Sequence, residues 1–265
     1  MNHGSLFSGI GGFDLASRWC GWNNVFQVEN DKFCNKVLEK NFPGVKRYGD
    51  IKEFNGKEYE GKIDIISGGM PCQPFSIAGK RKGKEDDRYL WDEMLRVISE
   101  IKPSWVVAEN VYGLISLEKG MVFNKVLSDL ESAGYEIQPF VVPACAKNAP
   151  HRRDRIWIVA YSDQNIGRRA CDSSKQINSN NNTKYREEHI GGNKLRKKGK
   201  EGKIGRSICN ASWETNWIEA ATSLCGVAHG VSNRVDRLKA LGNAIVPQIA
   251  YEIFKAIDEI MNNEK

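Results

Sequence analysis

The first 161 residues alternate between two textures, and this alternation constrains the fold more than any other feature. Five short β-branched or apolar runs read as strands: Gly4 to Ser8, Asn24 to Glu29, Ile63 to Ser67, Trp105 to Glu109 and Ile156 to Tyr161. Amphipathic stretches lie between them, with the clearest helices over Asp87 to Ile101 and Val122 to Ala133. Strands that alternate with helices form βαβ units on a parallel sheet, because parallel neighbours need a crossover long enough to hold a helix. A chain of 265 residues can bury one such core plus a small appendage. Seven cysteines is an odd number, and the sequence shows no signal peptide and no apolar run that could span a bilayer. An intracellular, mostly reduced protein is therefore expected. The net charge of +6 suits a polyanionic partner.

The texture changes at Asp163. From there to about Ile208 apolar periodicity is sparse, and Asn, Lys, Arg, Gly and Ser dominate, including the run Asn178-Ser179-Asn180-Asn181-Asn182. Lys194, Arg196, Lys197, Lys198 and Lys200 form its densest cationic cluster. Such a cluster can attract phosphates, and a solvated insertion is the alternative. Order is expected to return near Trp213, with a helix from about Ala244 to Met261.

Two turns carry candidate chemistry. Ile63-Asp64-Ile65-Ile66 is closed by Ser67-Gly68-Gly69 and followed by Met70-Pro71-Cys72-Gln73-Pro74-Phe75-Ser76. A cysteine just past a parallel strand sits on the edge where α/β sheets bind ligands, and the flanking prolines restrict its loop. The alternative is a buried cysteine in an ordinary proline-bounded turn. Gly9-Ile10-Gly11-Gly12 follows a strand and precedes a helical stretch, where glycines permit close backbone approach. Glu29 ends the next strand, in position to accept hydrogen bonds from ribose hydroxyls, and Asp50-Ile51 follows a third. Any βα turn may carry glycines, and a nicotinamide-binding fold would share these features.

Five segments together go further. Leu6 to Phe13, Pro71-Cys72-Gln73, Glu109-Asn110-Val111, His151-Arg152-Arg153-Asp154-Arg155 and Leu241 to Pro247 stand in the order found in the DNA cytosine-5 methyltransferases, which the chain resembles. Its last motif, Asn233 to Asn243, is most similar to small phage or prophage members. A nicotinamide-binding protein accounts for neither Pro71-Cys72-Gln73 nor Gly242-Asn243.

The resemblance implies a Rossmann-like α/β fold, with a mostly parallel sheet and helices on both faces. Residues 1–161 plus 234–265 would form a discontinuous catalytic domain, and 162–233 a small target recognition domain. S-adenosylmethionine would be held by Phe7, Gly9, Ile10, Gly11, Gly12, Glu29, Asn30, Asp50, Ile51, Asn243 and Ala244, with no metal. Cys72 would be the nucleophile, Glu109 would serve cytosine N3, and Asn110 would brace the loop of Pro71 and Cys72. Arg153 and Arg155 would bind phosphate and the base O2 region. Gln73, Ser76, Lys80, Arg81 and the 194–200 cluster would contact DNA. Four positions depart from the family pattern: Ser5 replaces a frequent Asp, Asn30 a frequent aromatic, His151 a usual Gln and Ala244 a frequent Ser. A helix N-cap is the alternative role for Asn243.

The implied reaction is methyl transfer to cytosine C5 in duplex DNA, through base flipping and a covalent adduct between Cys72 and C6. An RNA cytosine-5 methyltransferase of the same fold and an inactive DNA-binding module are the alternatives. The expected protein is a cytoplasmic monomer on double-stranded DNA. A restriction endonuclease would be a genetic partner rather than a physical one.

Overall fold

The computed structural model describes residues 1–71, 90–147, 149, 152–162 and 234–263. Among them, one seven-stranded sheet has the order β3-β2-β1-β4-β5-β7-β6. Its strands are β1 (Asn2–Leu6), β2 (Asn23–Val28), β3 (Lys46–Tyr48), β4 (Ile65–Gly69), β5 (Trp105–Val111), β6 (Glu136–Pro143) and β7 (Asp154–Tyr161). The first five pair in parallel, whereas β7 runs antiparallel to both β5 and β6. The helices are α1 (Gly12–Trp19), α2 (Lys32–Asn41), α3 (Leu90–Ile101), α4 (Met121–Ser132), α5 (Arg234–Asn243) and α6 (Pro247–Asn263).

The central strands are apolar on both faces because both faces are covered. Ile66, Val106, Ala108, Ile156 and Ile158 join a core with Trp91, Met94 and Ile98 of α3 and Val126 and Leu130 of α4. Their neighbours Ile65, Trp105, Val107 and Trp157 enter a second core with Phe13 of α1 and Ile249, Phe254 and Ile257 of α6. This is the period-two alternation of a strand, with helices on opposite sides of the sheet.

The apolar stripe of α3 recurs at helical spacing, burying Trp91, Met94, Val97, Ile98 and Ile101. It stops where Lys102 turns left-handed (φ 55°) and Pro103 follows. The first core therefore gains an amphipathic helix whose end is set by its own sequence.

Several sequence expectations shift. The first strand ends at Leu6, before Phe7 takes a left-handed φ of 51°, and the strand expected over Ile63 to Ser67 lies two residues later at Ile65–Gly69. β6 is an addition that Pro139 obscured, since proline is tolerated in a strand chiefly at a sheet edge, where β6 lies. The helix expected from Ala244 begins at Pro247, a residue suited to a first helical position. Asn243 ends α5 and does not N-cap the helix that follows. No described helix is long and apolar enough to cross a membrane.

Candidate active site

The strand order changes direction between β1 and β4, which opens a crevice beyond the carboxyl ends of the parallel strands. A cavity of about 550 Å³ occupies that place. One end is acidic, with Glu29 and Asp31 beyond β2, Asp50 beyond β3, and Asp236 on α5. The other end gathers Met70 and Pro71 beyond β4, Glu109 and Asn110 on β5, Arg153 just before β7 and Arg155 within it.

At the acidic end, backbone conformation sets the shape. Phe7 and Gly9 both have left-handed φ (51° and 55°), which turns the chain sharply out of β1. Glu29 accepts the Gly9 N–H on Oε2 at 2.7 Å and the Asp31 N–H on Oε1 at 2.8 Å. Its carboxylate is thereby fixed at the cavity wall, and each oxygen keeps a second lone pair for a ligand hydroxyl. Asp31 N-caps α2 by accepting from the Phe33 and Cys34 amides, and those bonds hold its carboxyl below the usual range. Its other oxygen lies 3.8 Å from Lys239 Nζ of α5. Asp50 accepts the Lys52 N–H on Oδ1 at 3.0 Å.

The glycine turn divides into wall and support. Gly9 lines the cavity, whereas Ile10, Gly11 and Gly12 do not. Gly11 has φ 86°, and a Cβ there would stand 2.5 Å from Phe42 Cε2 of the segment closing α2. A Cβ on Gly12 would meet Ile245 Cγ1 at 2.5 Å. These two glycines therefore permit helix packing behind the site, and Ile245 comes from the turn between α5 and α6. Asn243 and Ala244 of that same turn line the cavity.

The other end depends on the antiparallel pairing of β7. Val111 lies opposite Arg155 and Glu109 opposite Trp157, so Arg155 and Glu109 are diagonal neighbours. Arg155 Nε meets Glu109 Oε1 at 2.9 Å. Glu109 is only 8% exposed, and burial pushes its carboxyl up to about 7. The charges of Arg155 and Arg153 pull the other way without cancelling that effect. A carboxyl near 7 can both give and accept a proton at neutral pH.

Asn110, also buried, ties two strands together. Its Nδ2 donates to the Met70 carbonyl at 3.2 Å, and its Oδ1 accepts the Val111 N–H at 2.8 Å. Asn110 thus braces the chain one residue before Pro71. Arg153 Nη2 donates to the carbonyls of Gly242 and Ala244, both at 2.9 Å.

Of the sequence-predicted positions, Cys72, Gln73, Ser76, Lys80, Arg81, His151, Lys194, Arg196, Lys197, Lys198 and Lys200 lie outside the described residues. The remaining ones converge on this single cavity, except Ile10, Gly11 and Gly12. Asp31, Cys34, Asp236 and Lys239 also line it and were missed. Asp31 carried a usable signal, as a capping residue ahead of the spacing Cys34 and Leu38 that α2 buries.

Residues 1–222 match the model of the family described as C-5 cytosine-specific DNA methylase. The chain is 39% identical over 163 residues to the type II methyltransferase M.HhaI of Haemophilus parahaemolyticus, covering 61% of this chain and 49% of that protein. It is 40% identical over 159 residues to M.NgoBI of Neisseria gonorrhoeae, covering 60% and 50%. The chain thus spans about half the length of these curated relatives. Among solved structures, a DNA modification methyltransferase encoded within an E. coli prophage superposes with a TM-score of 0.54 at 29% identity, covering 62% of this chain and 47% of that one. A Spodoptera frugiperda DNMT2 variant gives 0.52 at 25% identity, covering 61% and 50%. The fold is that of these methyltransferases, and the chain belongs to the C-5 cytosine-specific DNA methylase family.

Proposed function

We propose that this protein transfers a methyl group from S-adenosylmethionine to C5 of a cytosine in duplex DNA, releasing S-adenosylhomocysteine. The observation that carries this is one cavity joining a fixed acidic end at Glu29 to a buried, ion-paired Glu109 beside the chain that enters Cys72.

The residues at the acidic end fit the cofactor. Glu29 can accept the ribose hydroxyls, and the volume lies in the range of small-molecule sites. Asp50 and Ile51 would flank the adenine, and Asn243 and Ala244 the methionine end. When bound, the cofactor supplies an electrophilic methyl sulfonium.

The chain's own residues make cytosine C5 nucleophilic. A free thiol has a pKa of about 8.5, so the reaction requires positive charge near Cys72 to favour its thiolate. That thiolate adds to C6 while Glu109 gives a proton to N3, leaving C5 electron-rich. Arg155 orients Glu109 and stabilises the charge that develops beside it. After methylation a base removes the C5 proton, its electron pair re-forms the C5=C6 double bond as the Cys72–C6 bond breaks, and N3 returns its proton to Glu109, which restores neutral 5-methylcytosine and the free thiolate. The target must be flipped from the duplex, and Gln73, Ser76, Lys80 and Arg81 would hold the DNA around the gap. Residues 162–233 would read the sequence, with Lys194 to Lys200 holding phosphates. The enzyme would act as a monomer, in modification alone or beside a restriction endonuclease.

Labelled S-adenosylmethionine offered with duplex DNA or with tRNA tests the reaction and its polymer. Label is expected in duplex DNA. Cys72→Ser should abolish transfer yet still bind S-adenosylhomocysteine, and 5-fluorocytosine duplex should trap a covalent adduct only with Cys72 present. An active Cys72→Ser variant overturns the mechanism, and label in tRNA alone overturns the substrate.

A further inference from the structure

Arg153 stands immediately before β7 with φ 38°, a left-handed conformation that arginine seldom adopts. Its backbone is held there from outside the strand. The Ala144 N–H, just after β6, donates to the carbonyls of both Arg152 and Arg153, at 2.7 and 3.2 Å. The side chain then reaches across the cavity wall to a segment about ninety positions away in sequence. Its Nη2 bonds the carbonyls of Gly242 and Ala244, which are the residues on either side of Asn243. Because Gly242 belongs to the last turn of α5, its carbonyl has no partner further along the helix, and a cation suits that end. The clamp therefore holds the Gly242–Asn243 and Ala244–Ile245 peptide groups, which bracket Asn243, a residue that lines the cavity.

We infer that Arg153 is a positioning residue for the cofactor, fixing the Gly242–Ala244 turn against the catalytic strand so that Asn243 is held at the cavity wall. This rests on the cavity being the S-adenosylmethionine site. It also separates the two arginines of the Arg-x-Arg pair. Arg155 serves Glu109 through its Nε, whereas Arg153 serves the far end of the chain through its Nη2.

S-adenosylhomocysteine titrated calorimetrically into the full chain tests the assignment, alongside steady-state kinetics on duplex DNA. Charge-assisted hydrogen bonds of this kind are each worth about tenfold or more. Arg153→Met should therefore weaken S-adenosylhomocysteine binding by roughly 10- to 100-fold and raise the cofactor KM by more than it lowers kcat. Arg153→Lys, whose ammonium keeps the charge but not the fork, should recover part of that affinity. Asn243→Ala should add little to Arg153→Met, since Arg153 acts on the cofactor through the placement of Asn243.

Unchanged affinity in Arg153→Met, with kcat alone collapsing, overturns the clamp and assigns Arg153 to base or phosphate instead. A lower Tm with unchanged cofactor KM overturns it as well, leaving only a structural bond. If the wild-type chain does not bind S-adenosylhomocysteine, the cavity assignment fails first and the clamp with it.

Discussion

At the scale of single residues, Glu109 carries the clearest electrostatic signature. Its folded carboxyl sits near 7, against an ordinary value of 4.5, because burial outweighs the attraction of Arg155 and Arg153. A raised carboxyl pKa means that the folded state binds more protons than the unfolded one between those values. This contribution to stability is full below about 4.5 and is lost as pH rises through about 7. Glu109→Gln removes that dependence, and with it the Arg155 ion pair, which exists only where Glu109 is ionised and already contributes to the shifted value. The stability of Glu109→Gln relative to wild type should therefore rise by roughly 2–3 kcal/mol between pH 5 and pH 8, measured by urea unfolding at each pH. A flat difference would mean that Glu109 is already ionised at pH 5. Turnover should fall by roughly 10²- to 10⁴-fold, with duplex affinity little changed. Sequence motifs picked out Glu109, Arg153 and Arg155, but not their partners. Which arginine meets Glu109 depends on a diagonal across an antiparallel pair, and no local spacing encodes that.

At the scale of elements, the ends of β4 and β5 act as one unit because Asn110 joins them. Asn110→Ala removes the bond to Met70 and leaves the Val111 N–H without its side-chain acceptor. The loss should cost about 1–3 kcal/mol in stability, small enough for the domain to stay folded. Turnover should fall at least tenfold, because the chain entering Cys72 loses its brace. Circular dichroism and single-turnover kinetics together check this, and wild-type turnover would show that the β4 loop holds itself. Interior strands were legible from the sequence, since β4 and β5 are buried on both faces and each opens on an apolar run, Ile65-Ile66 and Trp105 to Ala108. β6 was not, for it is an edge strand with mostly exposed side chains and Pro139 within it. The reversal of β7 was equally hidden, because a strand has the same local pattern in either direction.

At the scale of the whole molecule, α6 closes the second core against α1. Phe254 is fully buried, with ring centroids 4.9 Å from Trp22, 6.0 Å from Phe13 and 5.6 Å from His3. Phe254→Ala should cost about 3–5 kcal/mol, read from urea denaturation. It should also weaken S-adenosylhomocysteine binding, since Ile245, two residues before α6, packs on the glycine turn at Gly12. Unchanged stability would mean that α6 docks without this aromatic cluster. A helix near the C-terminus was foreseeable from its periodicity, but its docking partner is more than two hundred residues away.

That distance matters before the protein is finished. Trp22 Nε1 donates to Asp258 Oδ1 across 236 positions of chain. Ribosomes add about 5–20 residues per second, so the nascent chain carries α1 for roughly 10–50 s before α6 emerges. During that interval Phe13 and Trp22 have no α6 to cover them. Slower synthesis lengthens the exposure, so chaperone capacity during translation, more than the stability of the completed fold, should set the soluble yield.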